Sequence, residues 1–227
     1  TSSAPVTSAI AISTYSTTSQ PPSGSPPLSS TAYDGVSALV TRYTTVQLSG
    51  SPIGLASGSS ATNYGVLNSN SFSNGYGISF GANGRSNTGG NTVLNGSTGQ
   101  ITTAGGNANG IYIASTSASA RGNSITNDGI ITTNNTSTGS AAAISLKSGA
   151  TSSAIVNTII NTGALTTLGD GSYGIEFTSV SGVNTVNNSG SITTSGSAAH
   201  GMSITSTRNT VGVTNSGTIS TLGAGAN

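Results

Sequence analysis

The sequence of 227 residues contains no cysteine, no tryptophan and very little charge. Without cysteine, the chain forms no disulfides and offers no thiolate ligands to a metal. Charged residues make up 4% of the sequence, against about 25% in an average globular domain. The formal net charge is +1, so no basic patch exists to neutralise phosphates. We therefore expect neither nucleic acid nor an anionic membrane surface as a partner.

Long apolar runs are also missing, so we expect no membrane span in this chain. No signal peptide is visible, and the chain starts at Thr1. The absence of cysteine is compatible with export through an oxidising periplasm. Hydrophobic residues make up 33% of the chain and recur at fixed places, which a disordered chain has no reason to do.

Residues 1–33 differ in composition from the rest and predict an N-terminal arm with a linker. Pro21, Pro22, Pro26 and Pro27 lie among Ser and Gln, which is typical of an extended linker. Before the linker, one face of a strand carries the residues that we take as a candidate assembly strand: Val6, Ile10 and Ile12. One strand cannot bury its apolar face alone. It is therefore either part of a disordered terminus or a strand that docks on a sheet edge, its own or a neighbour's.

Residues 34–227 form the repeat region, and the repeats are clear from about residue 75. Each unit has three short apolar pieces in a fixed order. The first piece is Gly or Ala followed by alternating apolar residues, at 77–80, 110–113, 143–146, 174–177 and 201–204. The second piece is Asn-Thr-Val or a variant, and the third is Gly-x-Ile-Thr-Thr or a variant, beginning at Gly99, Gly129, Gly163, Gly190 and Gly217. The coils are therefore about 27–34 residues long, and their length varies between the first and second pieces, where we expect a loop.

The pieces are too short for helices, alternate with period two and are rich in Ile, Val and Thr, which predicts strands. Stacked units pair each strand with its equivalents above and below. The predicted fold is all-β, a right-handed parallel β-helix with three faces. Four inward columns follow from this alignment: Ile78, Ile111, Ile144, Ile175 and Met202; Phe80, Ile113, Leu146, Phe177 and Ile204; Val93, Ile125, Ile159, Val186 and Val211; and Ile101, Ile131, Leu165, Ile192 and Ile219.

Two further columns consist of asparagines at the turns. The first is Asn91, Asn123, Asn157, Asn184 and Asn209, and the second is Asn95, Asn127, Asn161, Asn188 and Asn215. Asparagine bonds its own turn and tolerates left-handed backbone. Stacked amides also bond along the axis of a cross-β stack. We interpret both columns as structural ladders that hold the corners.

The run Gly-Ile-x-Ile followed by Asn-x-Val-x-Asn-x-Gly-x-Ile-Thr-Thr resembles the passenger domains of Gram-negative autotransporters and related filamentous-haemagglutinin-like adhesins. The resemblance covers roughly residues 75–227. It implies an exported β-helix on the bacterial cell surface that mediates adhesion, self-association or biofilm formation. Members of this group with enzymatic activity carry added domains. We expect no outer-membrane barrel among the 227 residues of this sequence.

The last residues, 221–227, stop where the next Gly-Ile strand would begin, and no cap is readable there. We therefore hypothesise either a fragment of a longer solenoid or a fibre subunit that stacks head to tail, with the N-terminal strand exchanged between copies. The expected partners are further copies of this chain and host or cell-surface glycans.

Residues that could carry chemistry are scattered, so we expect no enzyme, cofactor or metal. The acids are Asp34, Asp128, Asp170 and Glu176, and His200 is the sole histidine. Metal sites and Ser-His-Asp sets need several such groups together. A carbohydrate-binding or carbohydrate-processing β-helix is the alternative, although Tyr112 has Ser or Glu at its equivalents and so predicts no aromatic stripe. An ice-binding solenoid is a minor alternative. One row of outward hydroxyls is regular and consists of Thr102, Thr132, Thr166, Thr193 and Ser220. The neighbouring row, two residues earlier in each strand, is not regular.

Overall fold

The computed structural model describes residues 9–12, 37–42, 45–48, 53–55, 57–69, 75–81, 87–135 and 140–227. These residues form strands and turns, with no helix among them. The strands are β1 (Ala9–Ile12), β2 (Ser37–Val40), β3 (Thr45–Leu48), β4 (Ile53–Leu55), β5 (Ser60–Asn63), β6 (Val66–Ser69), β7 (Ile78–Phe80), β8 (Thr92–Asn95), β9 (Gln100–Ala104), β10 (Ile111–Ser115), β11 (Ser124–Asn127), β12 (Ile130–Asn134), β13 (Ala142–Ser148), β14 (Val156–Asn161), β15 (Ala164–Thr167), β16 (Tyr173–Ser179), β17 (Val183–Asn188), β18 (Ser191–Thr194), β19 (His200–Ser206), β20 (Val211–Asn215) and β21 (Thr218–Thr221).

The strands form three parallel sheets, which confirms the predicted three-faced β-solenoid. Sheet A has the order β1-β2-β5-β8-β11-β14-β17-β20. Sheet B runs β3-β6-β9-β12-β15-β18-β21, and sheet C runs β4-β7-β10-β13-β16-β19. From β2 onward the chain visits sheets A, B and C in strict rotation, and five complete turns lie between β5 and β19. The right-handed winding stays a prediction.

The interior is built from the apolar columns that run along the axis. Strand register pairs Ile78, Ile111 and Ile144 directly, and it continues to Ile175 and Met202. The columns through Phe80 and Ile101 also have the predicted members. These side chains are fully buried in the middle turns. At about 25 cal/mol per Å² of apolar surface, this continuous core is the main favourable term in folding.

The third column is wrong at its last member. Val186 pairs with Val213, not with Val211, while Val211 lies beside Asn184. The sequence Asn209-Thr210-Val211 copies the motif of the earlier turns but lies two residues too early. A regular spacing of four separates the two asparagines in each preceding turn, as in Asn184 and Asn188, whereas Asn209 and Asn215 are six apart. That spacing is the signal that reveals the correct register.

A glycine at the start of the sheet C strands is required by packing across the core. A Cβ on Gly110 would lie 2.2 Å from the Cγ2 of Ile131, and a Cβ on Gly174 would lie 2.2 Å from that of Ile192. The turn between them carries Ala143 at this position, fully buried. In the same turn, Leu165 occupies the sheet B position of Ile131 and Ile192, and leucine is not branched at Cβ. Where the sheet C residue has a Cβ, the sheet B residue therefore lacks the Cγ2 atom that would clash with it.

No helix in the described part of the chain has the length and apolarity to cross a membrane. Of the N-terminal arm, only β1 lies within the described residues, so Val6 and the proline linker lie outside them. Asp34, at the start of the repeat region, also lies outside the described residues.

Candidate functional site

One corner of the solenoid carries an unbroken ladder of asparagine amides. Each Nδ2 donates to the Oδ1 of the asparagine in the next turn, at 2.6–2.8 Å, through six residues: Asn63, Asn95, Asn127, Asn161, Asn188 and Asn215. All members before Asn215 are buried. Five of them are the predicted second column, and Asn63 is an addition that the irregular early repeats conceal. Because every amide points the same way, this asparagine ladder is polar along the axis.

A second row of asparagines is shorter. The Nδ2 of Asn91 donates to Asn123 at 3.0 Å, Asn123 donates to Asn157 at 3.2 Å, and Asn157 donates to Asn184 at 2.9 Å. The Nδ2 of Asn184 donates to Ser179 Oγ at 2.9 Å, so the row ends there. The predicted fifth member, Asn209, is not in the row, because its Nδ2 donates to the carbonyl of Gly182 at 3.3 Å. The register shift of β20 places Val211 beside Asn184 and explains this correction.

Glycines next to the asparagine ladder bring successive turns into close contact. A Cβ on Gly163 would lie 2.0 Å from the carbonyl oxygen of Gly129, and one on Gly190 would lie 2.0 Å from that of Gly163. Backbone contacts this close exclude any side chain. The Asn-x-Gly corner is therefore a structural element that fixes the stacking distance between turns.

The last turn presents the apolar columns to solvent. Val213 is 49% exposed and Ile219 is 41% exposed, whereas their equivalents one turn earlier, Val186 and Ile192, are fully buried. Met202 and Ile204 are partly buried against the core. In the described structure, β19, β20 and β21 are the outermost strands of sheets C, A and B at this end. We call this surface the open end. It combines the outer edges of these three strands with exposed apolar side chains.

At the opposite end, β1 is the outermost strand of sheet A. It pairs in parallel with β2, with Ile10 opposite Ala38 and Ile12 opposite Val40. Two residues of the candidate assembly strand thus lie on an edge of the chain's own sheet. Ala38, Val40 and Leu55 are buried near this end, in contrast to the exposed columns of the open end.

The outer face of sheet C carries two aromatic pairs that the sequence interpretation missed. Tyr76 and Tyr112 stack with ring centroids 4.7 Å apart and an interplanar angle of 10°. Tyr173 stacks on His200 at 5.8 Å. The prediction of no aromatic stripe considered only the Tyr112 column, whereas Tyr76, Tyr173 and His200 each lie immediately before the first-piece glycine. Burial, with the neighbouring Tyr112 as a smaller cause, raises the pKa of Tyr76 to about 12.

Polar groups lie between these two pairs. Glu176 accepts a hydrogen bond from Ser145 Oγ at 2.7 Å and forms an ion pair with Lys147 at 3.2 Å. Ser145 and Tyr76 are buried, so the sheet C patch consists of Tyr112, Lys147, Tyr173, Glu176 and His200, with Tyr76 stacked on Tyr112. The patch combines aromatic rings with hydrogen-bonding groups.

The other acidic residues are engaged in turns. Asp128 accepts a bond from Thr162 Oγ1 at 2.8 Å, and Asp170 accepts one from the Ser197 N–H at 2.7 Å. Both are exposed. Within the described ranges, no group of three or more His, Cys, Asp or Glu residues could hold a metal ion.

The rank of outward threonines on sheet B lies in register. Thr102, Thr132 and Thr166 pair in succession, and Thr193 and Ser220 follow. The neighbouring rank is mixed, since Gln100, Ile130 and Ala164 occupy it. Only one regular rank of hydroxyls therefore runs along this face.

No family model, no curated protein and no solved structure matches this chain.

Proposed function

We propose that this chain is a non-enzymatic structural solenoid that assembles head to tail, so that its outer faces are displayed along a fibre. The stacking of turns in three parallel sheets carries the proposal, because every turn pairs with the next on all three faces. Val213 and Ile219, which are exposed in the last described turn, continue columns that are fully buried one turn earlier. Burying such side chains is favourable by roughly 1.5–3 kcal/mol each, and a second solenoid end offers a surface of the same three-sided form.

The composition supports stacking of copies over binding of a charged partner. With charged residues at 4% of the sequence, two solenoid ends meet without the repulsion that usually protects exposed edges. Each sheet has an outermost parallel strand at both ends, namely β20, β21 and β19 at one end and β1, β3 and β4 at the other. Unpaired strand edges of this kind are templates for addition of further strands.

An adhesive role on the bacterial cell surface is the biological setting that we propose. Its support is the likeness of the repeat to autotransporter and haemagglutinin-like passenger domains, and a lateral surface rich in Thr, Ser and Asn. In this setting the stacked solenoid is the scaffold, and host or cell-surface glycans are its external partners.

Sedimentation velocity and electron microscopy of the purified chain over a range of concentrations test assembly. The variant Ile219→Lys places a charge at the open end and is expected to abolish filaments. Ile130→Lys is the matched control, because Ile130 is similarly exposed, at 48%, but lies on the side of sheet B. Deletion of residues 1–20 tests the N-terminal arm, and we expect it to reduce assembly. Monodisperse short rods at every concentration would contradict the proposal.

A carbohydrate-binding solenoid is the second candidate, and the sheet C patch favours it. Stacked rings offer flat apolar faces to a sugar, while Glu176 and Lys147 offer hydrogen bonds. A glycan array followed by calorimetry with the best oligosaccharide tests it. Replacing Tyr112 with Ala is expected to abolish binding, with Tyr64→Ala on another face as the control. Equal binding by both variants would exclude the patch.

A further inference from the structure

Charge within the described strands is confined to one of the three faces. The strands of sheets A and B contain no Asp, Glu, Lys, Arg or His. Those of sheet C carry Lys147, Glu176 and His200. Sheets A and B therefore present faces made of hydroxyl, amide and apolar side chains, which suit an uncharged partner surface of the same kind.

The outer face of sheet A repeats regularly along the solenoid axis. The middle of this face carries what we call the hydroxyl row, formed by successive strand partners: Thr92, Ser124, Thr158 and Thr185. Two residues before the row, Val156 and Val183 are 54% and 58% exposed. Two residues after it, Leu94 and Ile160 are partly exposed. Apolar side chains thus flank the hydroxyl row on both sides, as on a sheet face that packs against a second sheet.

The two rims of sheet A carry opposite charges at the same height along the axis. Arg121 lies just before β11 and Asp128 directly follows it, so the two side chains stand at opposite ends of one strand. Both residues are exposed. Among the described residues the only ion pair joins Lys147 to Glu176. The rim charges of β11 are therefore available to a second molecule.

The rims of sheet B have a different charge pattern. Asp128 lies at its first rim, before β12, and Asp170 lies at its second rim, after β15. The described turns between sheet B and sheet C contain no cation. Two copies packed through sheet B would bring Asp128 of one near Asp170 of the other. Like charges across an interface are unfavourable, so the rims favour sheet A as the contact face.

We propose that two copies pair face to face through sheet A, around a two-fold axis that is parallel to the solenoid and runs along the hydroxyl row. This rotation sets each sheet A strand opposite its own equivalent, running in the opposite direction. Arg121 of one copy then lies beside Asp128 of the other, and the contact occurs twice, as in any isologous interface. The proposed pairing is lateral, so it goes beyond head-to-tail stacking and does not depend on it.

The same rotation matches the side chains that flank the hydroxyl row. Val156 of one copy faces Ile160 of the other, because these residues lie on either side of Thr158 in the same strand. In β8, the partner's Leu94 faces the position of Gly90, two residues before Thr92. Apolar groups therefore meet, and a large side chain meets a glycine, which allows the two faces to interdigitate.

An antiparallel pair would lose the charge match. A two-fold axis along the strands sets each rim against the same rim of the other copy. Strand β11 lies in the middle of the seven strands from β2 to β20. With full overlap of the two sheets, Arg121 would meet Arg121 and Asp128 would meet Asp128. The parallel pair avoids both like-charge contacts.

The size of the face fits a dimer. Seven strands spaced about 4.8 Å apart, with about five residues each at about 3.3 Å, give a face of roughly 30 by 17 Å. Two such faces bury about 1,000 Å² in total, which is the area that a specific interface needs. An uncharged centre with charges confined to the rim is also the usual division of an interface.

Sedimentation velocity of the variant Ile219→Lys tests lateral pairing without end-to-end stacking, and we expect a monomer–dimer equilibrium. Adding Thr158→Lys should raise the dissociation constant at least about 100-fold, because two desolvated ammonium groups would face each other at the axis. Thr166→Lys is the matched control, since Thr166 is an equally outward threonine of the same turn in sheet B. Its dissociation constant should stay within about twofold.

A charge exchange tests the rim contacts. Arg121→Asp should weaken the dimer at least about threefold, because it sets two acids together at both rims. Combining it with Asp128→Arg should restore the affinity to within about twofold. A double variant as weak as the single variant would overturn the assigned contacts. Circular dichroism of every variant confirms that it folds.

Cross-linking tests the orientation, and the natural chain has no cysteine to interfere. In the parallel pair, Thr185→Cys lies opposite its own equivalent across the about 10 Å between packed sheets, within reach of a short bis-maleimide. In the antiparallel pair the two sites would also be about 19 Å apart along the axis. Covalent dimers are expected from Thr185→Cys and not from Thr193→Cys on sheet B.

The results that would overturn lateral pairing differ from those that bear on stacking. An Ile219→Lys variant that stays monomeric, or equal weakening by Thr158→Lys and Thr166→Lys, would overturn the inference and leave head-to-tail assembly intact. Dimers that Thr185→Cys does not cross-link would overturn the parallel arrangement. Filaments of the unmodified chain that are one solenoid wide in electron micrographs would also overturn it.

Discussion

Replacing Asn161 in the middle of the asparagine ladder is expected to destabilise the chain by about 3 kcal/mol, since an unmade buried hydrogen bond costs about 1–3 kcal/mol per group. The change Asn161→Ala removes the bond from Asn127 at 2.8 Å and the bond to Asn188 at 2.6 Å. Asn127 keeps its 3.2 Å bond to Gly129, so Asn188 Oδ1 bears most of the loss.

Urea unfolding followed by circular dichroism, at a concentration below assembly, measures the change at constant slope. Two controls accompany it. Asn187→Ala changes the same residue type on the outer face of β17 and is expected to cost below about 0.5 kcal/mol, as for other surface substitutions. Asn215→Ala removes the 2.7 Å bond from Asn188 and a 3.4 Å bond to the carbonyl of Gly217 at the exposed end of the ladder, and it is expected to cost about 1 kcal/mol. A cost for Asn161→Ala no greater than that for Asn187→Ala would refute the ladder argument.

The variant Asn161→Asp tests the polarity of the ladder. An ionised carboxylate accepts from Asn127 but has no proton to donate to Asn188, and burial also disfavours its charge. The pKa of the introduced carboxyl is therefore raised in the folded state above its unfolded value of about 3.9. Stability is highest below that pH and is lost as the pH rises through the folded pKa, by up to about 1.4 kcal/mol per pH unit. A variant whose stability relative to the natural chain does not change between pH 3 and pH 7 would contradict the assigned direction.

Three further predictions concern packing and burial. Gly174→Ala is expected to lower the free energy of unfolding by about 1–3 kcal/mol. Adding Ile192→Leu should recover at least half of this loss, because the natural chain already combines Ala143 with Leu165 in another turn. Equal losses in the single and double variants would contradict this prediction. Thr103→Val loses a 2.6 Å hydrogen bond to a backbone carbonyl and is expected to destabilise the chain by about 1 kcal/mol. Thr167→Val is expected to be neutral or stabilising, because the buried hydroxyl of Thr167 has no partner in the described structure. Thermal melts of the two variants test this difference. Tyr76→Phe should remove a tyrosine that ionises near pH 12, not pH 10, in ultraviolet titration, and stability contributed by its raised pKa should be lost between these values; an unchanged titration curve would refute the assignment.

The fold could be predicted because the repeated motifs show directly which residues of successive turns occupy equivalent positions. In a stacked solenoid, one residue type at one position in every turn must lie in one column, so Ile101, Ile131 and Ile192 align without any knowledge of loops. The same logic fails where a turn imitates the motif out of register. Asn209-Thr210-Val211 has the right letters, but only the constant spacing to the next asparagine places Val213 in the core.

The surface of sheet C could be predicted only in part. The outward direction of Tyr112 follows from strand alternation, but its stack on Tyr76 joins two columns in different turns. A comparison within one column cannot find such a pair. The sequence also did not predict that Ala143 and Leu165 replace the glycine and isoleucine of the other turns as a pair. The repeat aligns residues within one sheet, but it does not specify which residues of two different sheets face each other.

The axial spacing of assembled filaments, measured by electron microscopy or fibre diffraction, tests the central claim most directly. Head-to-tail stacking continues the three parallel sheets from one copy to the next, which predicts filaments with a strong axial spacing of about 4.8 Å. Monodisperse short rods, or filaments without an axial spacing of about 4.8 Å, would contradict the account.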